Sequence, residues 1–217
     1  MTAGEDAESD KRAAAEAASQ LVESGMTVGL GTGSTVAHLL VALAKRSLQI
    51  RCVATSVATE TEGLRLGLDV VAFEGIDRLD IAIDGADQVA ADGWVVKGGG
   101  GAHVREKVVA RAAGRFVVIV SSDKLVETVR APIPVEVLSF GAAATLSHLG
   151  DARPRAGAPL SPDGGVIADW YGEVSDPAKT SAWLESIPGV VGHGLFPPEL
   201  ISDVLVARRG VVEALRL

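Results

Sequence analysis

The chain has 217 residues, of which 47% are apolar and 4% aromatic, with 25 glycines and a net charge of −8. This length suits one domain, or one domain with a small partner, and a core of small aliphatic side chains favours helices packed on a buried parallel sheet. The acidic balance and the lack of a Lys/Arg-rich run argue against a nucleic-acid-binding protein, so an anionic substrate would need a local positive site.

The cysteine content and the start of the chain indicate the cellular compartment of the protein. The one cysteine, Cys52, excludes an internal disulfide and a cysteine-based structural zinc site, and it indicates a reducing compartment. Its neighbours predict a strand, so we expect a buried thiol rather than a nucleophile. The start of the chain is acidic and alanine-rich, unlike a signal peptide, and no apolar run approaches the roughly 18 residues that a membrane span needs. We expect a cytoplasmic protein.

Strand and helix patterns alternate through the first half of the chain. Residues up to about Ser9 are expected to be frayed, and a helix is predicted over 11–24, ended by Gly25. Further on, strands are predicted over 26–30, 51–54, 70–73, 79–83, 94–96 and 116–120, and helices over 36–45, 58–66 and 102–113. This alternation predicts an α/β fold with a mostly parallel sheet and helices on both faces.

The pattern changes at Pro132 and Pro134, which interrupt any continuing helix. Beyond them, strands are predicted over 135–139, 156–160, 165–170, 190–195 and 203–207, and helices over 142–149 and 177–186. These elements predict a smaller α+β domain over 131–206, while residues 1–130 and 207–217 form the larger, Rossmann-like domain.

The first predicted strand runs into a turn rich in glycine and hydroxyl groups, Gly31-Thr32-Gly33-Ser34-Thr35, which precedes a helix. Strand, turn and helix together favour phosphate binding, because backbone N–H groups and hydroxyls can donate and the helix dipole attracts an anion. The dipole contributes only about 0.3–1 kcal/mol at an exposed site, so the donors must supply most of the binding.

Two other interpretations of this turn remain open. Ser34 or Thr35 could simply cap the helix. The glycines also suggest a dinucleotide site, but that site needs an acidic residue after the second strand. Here Thr55 and Ser56 follow that strand and the first acid is Glu60, which argues against nicotinamide binding.

The stretch over 79–107 gathers the groups with catalytic potential. It carries two carboxylates, Asp84 and Asp87, a lysine at the end of an apolar run, Lys97, the glycines 98–101, and Glu106 at the start of a predicted helix. Such a set supplies an acid, a base and an oxyanion stabiliser near glycines that let a ligand approach the backbone.

Each of these groups also has an ordinary interpretation. Asp-Gly pairs mark turns, and glycine runs form plain loops. Glu106 could be a solvated helix charge paired with Arg105 or Lys107, and the lysines could lie on the surface. The two aspartates could bind a divalent cation, although this stretch offers few further ligands and Lys97 already supplies positive charge.

Five motifs identify a family at this point. They are GLGTGSTVAHLL (29–40), DIAIDGADQV (80–89), KGGGGAHVREK (97–107), SSDK (121–124) and PIPVEV (132–137). In their order and spacing they resemble ribose-5-phosphate isomerase of the A type, and AWLESIPGVVGHGLF (182–196) is similar to the tail of that family.

The resemblance implies a cofactor-free, metal-free aldose–ketose isomerase that interconverts ribose 5-phosphate and ribulose 5-phosphate in the pentose phosphate pathway. By motif, Glu106 is the base, Lys97 stabilises the enediolate, and Asp84 and Asp87 handle hydroxyl protons and ring opening. The implied substrate-binding residues are Thr32, Gly33, Ser34, Thr35, Gly85, Ala86, Gly98, Gly99, Gly100 and Lys124.

The resemblance also implies an architecture and partners. The family combines a Rossmann-like domain with a ferredoxin-like α+β domain and assembles into homodimers or homotetramers, without nucleic acid or membrane partners. This sequence departs from the family pattern at Gln88, where Glu is common, at His103, and in the turn over 161–165.

Two alternative functions remain open. A sugar-phosphate-sensing domain of a transcription regulator has a similar fold, but we expect the acidic residues before the first strand to be unable to supply a DNA-binding surface. An isomerase of another phosphorylated sugar would differ only in pocket shape.

Overall fold

The computed structural model describes residues 3–215, and contacts between residues divide them into two units. The first unit takes residues 3–86, 105–125 and 199–215, and the second takes 87–104 and 126–198.

Strands and helices alternate along most of the chain. In chain order the strands are β1 (Thr27–Leu30), β2 (Arg51–Ala54), β3 (Asp69–Val70), β4 (Ile81–Asp84), β5 (Gln88–Ala90), β6 (Val95–Val96), β7 (Phe116–Ser121), β8 (Leu125–Val126), β9 (Ile133–Val137), β10 (Ala152–Pro154), β11 (Val166–Trp170), β12 (Val190–His193), β13 (Leu195–Phe196), β14 (Asp203–Arg208) and β15 (Val211–Leu215). The helices are α1 (Ala3–Ser19), α2 (Ser34–Lys45), α3 (Val57–Arg65), α4 (His103–Ala112), α5 (Ala142–Leu149) and α6 (Pro177–Ser186), with 3₁₀ turns at Ser122–Lys124 and Pro198–Leu200.

The first unit is built on a seven-stranded sheet in the order β15-β14-β7-β4-β1-β2-β3. Neighbouring strands are parallel except at one edge, where β15 runs antiparallel to β14. The interior strand β7 reads FVVIVS and is buried along its whole length, as expected when both faces of a sheet are covered. The predicted mostly parallel sheet is confirmed, and β1, β4 and β7 end at the same edge of it.

Helices α1 and α2 share the main core of this unit. Ala14, Ala15 and Ala18 of α1 are fully buried in one cluster with Leu39 and Leu43 of α2. Side chains as small as alanine let the two helices approach closely, and each fully buried leucine contributes about 1.5–3 kcal/mol.

Helix α1 begins earlier and ends earlier than the sequence predicts, since it covers Ala3–Ser19 rather than 11–24. Long-range contacts hold the first half of the helix, which includes residues expected to fray. The buried carboxylate of Asp10 accepts a hydrogen bond from the N–H of Gly210 at 2.8 Å, and Glu8 contacts His38 of α2 at 2.6 Å. At the other end, the Arg46 guanidinium donates to the carbonyl of Ser19, the last residue of the helix, and to that of Val22 at 2.9 Å.

The second unit has an antiparallel sheet in the order β10-β11-β9-β12, together with α5 and α6. Its core is apolar and includes Ile133, Val135, Trp170 and Leu184, and the Trp170 ring packs against Trp183 at 5.4 Å between centroids. This is the α+β arrangement predicted for the smaller domain.

Of the strands predicted for this unit, one is absent from the residues that the structure describes and another is split, while the strand predicted over 135–139 lies two residues earlier, at Ile133–Val137. Residues 156–160, all of which the structure describes, form no strand, because β10 lies earlier and Gly157 turns the chain at a φ of +71°. The predicted strand over 190–195 is split at Gly194 into β12 and β13, which pair with β9 and β6 respectively. A Cβ atom on Gly194 would lie 2.0 Å from the carbonyl oxygen of Lys97, so only glycine fits at the split.

The unit boundaries also differ from the predicted division at 130/131 and 206/207. Residues 87–104 group with the second unit because β5 pairs with β6, and β6 pairs with β13. Residues 199–206 group with the first unit because β14 pairs with β7 in its sheet. Within residues 3–215, none of the helices combines the length and apolar character needed to cross a membrane.

Candidate functional site

The turn after β1 is held open by glycine rather than capped by a side chain. Gly33 occupies the N-cap position of α2 with φ 116° and ψ 179°, and no side chain makes a capping hydrogen bond there. The interpretation of Ser34 or Thr35 as the cap is therefore wrong. Gly33 and Ser34 are exposed, which leaves the start of α2 accessible to a ligand that accepts hydrogen bonds.

Hydroxyl groups of residues that follow β2 contact this turn through hydrogen bonds. The Thr59 hydroxyl donates to the carbonyl of Gly31 at 2.8 Å, and the Thr32 and Thr55 hydroxyls lie 2.9 Å apart. Ser56 caps α3 by accepting from the Thr59 N–H at 3.2 Å, which fixes Thr59 in place. These supporting residues were not among the predicted site residues, because nothing local in the sequence links them to Gly31.

Asp84 links the turn over 31–35 to the stretch over 79–107 by hydrogen bonds. It ends β4, is 2% exposed, and its Oδ1 accepts from the N–H groups of Thr32 at 3.1 Å and Gly85 at 2.7 Å. A Cβ atom on Gly31 would lie 1.8 Å from this carboxylate, so glycine is required for the contact. Gly85 in turn lies close to Thr35. The sheet thus brings together two motifs that are more than fifty residues apart.

Glu106 lies in the first turn of α4 and is 3% exposed. It faces the same side as Val109 and Ala110, which are also buried, as expected for residues three and four positions along a helix. The interpretation of Glu106 as a solvated surface charge is therefore wrong. A buried carboxylate in the first turn of a helix is a candidate functional group.

Lys124 follows the carboxyl end of β7, in the 3₁₀ turn at Ser122–Lys124, and its side chain is 37% exposed. Its ammonium lies 3.5 Å from Asp123, which also accepts from the Ser121 hydroxyl. Burial opposes ionisation of Asp123, but the Ser121 hydroxyl and the Lys124 charge hold the pKa of this carboxyl below its ordinary value. Lys124 therefore places a positive charge at the edge of the sheet where β1 and β4 also end.

The second unit holds Asp87 and the glycine loop together. The Asp87 carboxylate accepts from the N–H of Gly99 at 2.8 Å, and the Asp87 N–H donates to the carbonyl of Val96 at 2.8 Å. A Cβ atom on Gly99 would lie 2.7 Å from the Asp87 carboxylate. Gly98 is also restricted, since its φ is +111° and a Cβ atom there would meet His103 and Pro134 at 2.8 Å.

Lys97 is 2% exposed, so it is not a surface lysine. Its N–H donates to the carbonyl of Gly194 at 2.9 Å, and its ammonium lies 5.6 Å from the centroid of the Phe196 ring. An ammonium over an aromatic face is attracted by the negative face of the ring. Strand β13 thus provides the ring that the Lys97 ammonium contacts, and burial keeps this ammonium out of bulk water.

Arg155 is a residue that the sequence analysis missed. Its guanidinium donates to both carboxylate oxygens of Asp169, at 3.0 and 2.5 Å, and to the carbonyls of Gly98 and Gly99, each at 3.0 Å. The pKa of Arg155 is raised, mainly because its guanidinium donates hydrogen bonds to the Asp169 carboxylate. No local signal marked this residue, because the bonds join segments 56 and 57 residues apart.

The hydrogen bonds of Gln88 explain why glutamine can replace the glutamate that is common at this position of the family. Its amide donates to the Arg130 carbonyl at 2.7 Å and accepts from the Arg130 N–H at 2.9 Å. A carboxylate could accept but not donate, so Glu at this position could make only one of these two bonds.

The predicted residues are thus divided between the units. Thr32 to Thr35, Asp84, Gly85, Ala86, Glu106 and Lys124 belong to the first, and Asp87, Lys97 and Gly98 to Gly100 to the second. Among the described residues, no group of three or more His, Cys, Asp or Glu side chains is arranged to hold a metal ion.

Comparisons with known proteins place this chain among named relatives. The sequence model of the family described as ribose 5-phosphate isomerase A (phosphoriboisomerase A) matches residues 51–210. Ribose-5-phosphate isomerase A of Methylorubrum extorquens is 44% identical, over 92% of this chain and 93% of the relative. The structure of ribose 5-phosphate isomerase A from Methanocaldococcus jannaschii superposes with a TM-score of 0.89 at 32% identity, covering 95% of this chain and 98% of that one. A D-ribose-5-phosphate isomerase in complex with phospho-erythronic acid superposes with a TM-score of 0.90 at 30% identity, covering all of both chains.

Proposed function

The chain belongs to the ribose 5-phosphate isomerase A family, and we propose on this premise that it interconverts D-ribose 5-phosphate and D-ribulose 5-phosphate without a cofactor. The observation that carries the proposal is the family match, which spans 51–210 and includes Asp84, Asp87, Lys97 and Glu106. The phospho-erythronic acid bound to a solved relative is a phosphorylated sugar acid, which supports a sugar phosphate as the substrate here.

The reaction moves one carbon-bound proton. In the open-chain aldose a base removes the C2 proton, the electrons of the C2–H bond form the C1–C2 double bond, and the electrons of the C1=O1 π bond move onto O1 to give an enediolate. The same proton is then returned to C1 by the electrons of the C1–C2 double bond, while the O2 electrons form the C2=O2 carbonyl of the ketose. A hydroxyl proton moves from O2 to O1. Glu106 is the proposed base, and its burial in the first turn of α4 supports this role because a carboxylate withdrawn from water is a stronger acceptor.

The developing oxyanion needs a positive group. Lys97 is the proposed partner, and its burial against Phe196 supports the role because charge is worth more in a site from which water is excluded. A positioned base gives about 10²–10⁴-fold, so Glu106 alone would not account for an enzyme's rate.

Asp84 and Asp87 are proposed to exchange the hydroxyl protons and to open the sugar ring. Each carboxylate is held by backbone N–H groups, Asp84 by those of Thr32 and Gly85 and Asp87 by that of Gly99. Hydrogen bonds of this kind keep a carboxylate oriented while its other lone pairs serve a substrate.

The phosphate is proposed to bind at the start of α2, in the turn over 32–35. The glycine N-cap, the exposed Ser34 and the helix dipole support an anion site there. Lys124, at the same edge of the sheet, adds a positive charge to a chain whose net charge is −8.

We also propose a cytoplasmic location and a homo-oligomeric state. A single buried thiol, Cys52, supports a reducing compartment such as the cytoplasm. A homodimer or homotetramer is proposed from the family resemblance alone.

One assay tests the activity. Ribose 5-phosphate is added to the protein in the presence of EDTA, and ketose formation is followed. We expect turnover that survives chelation. A protein that is stabilised against heat by ribose 5-phosphate but forms no ketose would instead be a sensing domain, and ketose formation only from a different aldose phosphate would make it another sugar-phosphate isomerase.

A further inference from the structure

Resting on the function proposed above, the structure assigns a role to Arg155: we propose that it is a positioning residue, which holds the glycine loop and, through one peptide group, orients the carboxylate of Asp87. The bonds that carry this proposal all lie in the second unit, and they form a chain from Asp169 to Arg155, to the peptide between Gly98 and Gly99, and to Asp87.

The first link fixes the guanidinium. Two of its nitrogens bind the two carboxylate oxygens of Asp169 in a fork, at 3.0 and 2.5 Å. The side chains of Arg155 and Asp169 are 23% and 16% exposed, so the pair is largely removed from water. A bidentate pair of this kind has a defined geometry, which a lysine in place of the arginine would not reproduce.

The second link holds the loop. The remaining terminal nitrogen of Arg155 donates to two consecutive carbonyls, those of Gly98 and Gly99, each at 3.0 Å. Gly98 has a φ of +111° that other residues rarely adopt, and Gly99 is exposed. A loop of such residues has many accessible conformations, and a charged donor bound to two of its carbonyls selects one of them.

The third link reaches the carboxylate. The carbonyl of Gly98 and the N–H of Gly99 belong to the same peptide group, so Arg155 binds its oxygen end while Asp87 accepts from its nitrogen end at 2.8 Å. A positive charge at the carbonyl polarises the amide and makes its N–H a better donor. Arg155 thereby acts on Asp87 through the backbone.

The alternative is that Arg155 only stabilises the second unit. That role would lower the melting temperature of a variant but leave the turnover number of its folded fraction unchanged. An orienting role lowers kcat itself, because small displacements of a catalytic group cost up to about 100-fold in rate.

The test compares Arg155→Ala and Arg155→Lys with the matched control Arg153→Ala. Arg153 lies two residues away on the exposed edge, with its guanidinium 5.2 Å from the centroid of the Tyr171 ring. For each protein we would measure kcat and KM for ribose 5-phosphate, the folded fraction by circular dichroism, and the recovery of activity on adding guanidinium ion at concentrations too low to unfold the protein.

We expect kcat to fall about tenfold to 100-fold in both Arg155 variants and to stay within about twofold of wild type in Arg153→Ala. Guanidinium should partly restore kcat in Arg155→Ala, because it can occupy the vacated space beside Asp169. If Arg155→Ala does not fold, Arg155→Lys alone decides the matter through its kcat.

Either of two results overturns the assignment: folded Arg155 variants with wild-type kcat, or a loss confined to KM or to the melting temperature. A wild-type protein without activity on ribose 5-phosphate would instead count against the proposed function, so the two failures are distinguishable.

Discussion

Gly31 and Asp84 are in such close contact that a Cβ atom on Gly31 would lie 1.8 Å from the Asp84 carboxylate. The glycine therefore does more than turn the chain after β1. It provides the space in which a buried carboxylate from the neighbouring strand reaches the N–H of Thr32.

This contact predicts that Gly31→Ala impairs the enzyme. The added methyl group must displace Asp84 from its two backbone donors, so we expect kcat/KM to fall by about 100-fold and the melting temperature to fall as well. Gly114→Ala is the matched control, because a Cβ atom there would make only ordinary contacts, the nearest at 3.4 Å. A Gly31→Ala protein that keeps wild-type kcat/KM would show that the position of Asp84 is not important for turnover.

Replacing Lys97 tests the oxyanion role. Lys97→Met keeps an unbranched side chain that can pack on Phe196 but removes the charge, so we expect folding to be retained and kcat to fall by about 10²–10³-fold. The control is Lys179→Met, which removes a lysine whose side chain is 86% exposed. Steady-state kinetics decide the outcome, and equal kcat values for the two variants would remove Lys97 from the mechanism.

Cys52 predicts an alkaline loss of stability. Burial, reinforced by the charge of Asp69, raises the pKa of this thiol from 9.0 to about 12. The folded protein therefore retains a proton that the unfolded chain releases between these pH values. The contribution of the protonated Cys52 thiol to the free energy of unfolding is fully present below pH 9.0 and is lost as the pH rises toward 12.

The measurement is urea unfolding of wild type and Cys52→Ala across this range. The free energy of unfolding of wild type should fall more steeply than that of the variant, by up to about 1.4 kcal/mol per pH unit. Parallel curves would contradict the assignment. The native thiol should also resist alkylation until the protein unfolds.

Gln88 predicts an effect on stability without one on chemistry. In Gln88→Glu the donor to the Arg130 carbonyl is lost and a carboxylate oxygen faces that carbonyl instead. Because these bonds are exposed to solvent, we expect the free energy of unfolding to fall by about 0.5–1.5 kcal/mol. Gln49→Glu, at an exposed position, introduces the same charge as a control. Equal stabilities for the two variants would mean that the bonds to Arg130 contribute little.

Local signals account for the elements that the sequence predicted well. Helix α6 has the predicted bounds because Asp176 caps it and Pro177 fills its first position, and both are visible in the sequence. Helix α5 also has its predicted bounds, between Gly141 and Gly150. The mostly parallel sheet followed from the alternation of strand and helix patterns and from the small aliphatic composition of the chain.

Elements defined by long-range pairing were predicted poorly. The first half of α1 depends on the bond from Gly210 to Asp10, and β13 is separated from β12 by its pairing with β6. Neither partner lies within the sequence window on which a periodicity argument rests.

The residues of the candidate site likewise fall into those that the sequence predicts and those that only the structure reveals. The residue types of Asp84, Asp87, Lys97 and Glu106 could be selected from one stretch of sequence, and the burial of Glu106 and Lys97 corrects the ordinary interpretations of both. Arg155 could not be found, because its relation to the glycine loop exists only in three dimensions.

The most direct test of the account is the rate of proton transfer in Glu106→Gln. The amide has nearly the shape of the carboxylate but cannot accept the C2 proton, so we expect turnover of ribose 5-phosphate to fall by about 10²–10⁴-fold or more while the circular dichroism spectrum and melting temperature stay close to those of wild type. A folded Glu106→Gln protein that isomerises ribose 5-phosphate at the wild-type rate would contradict the assignment of Glu106 as the base.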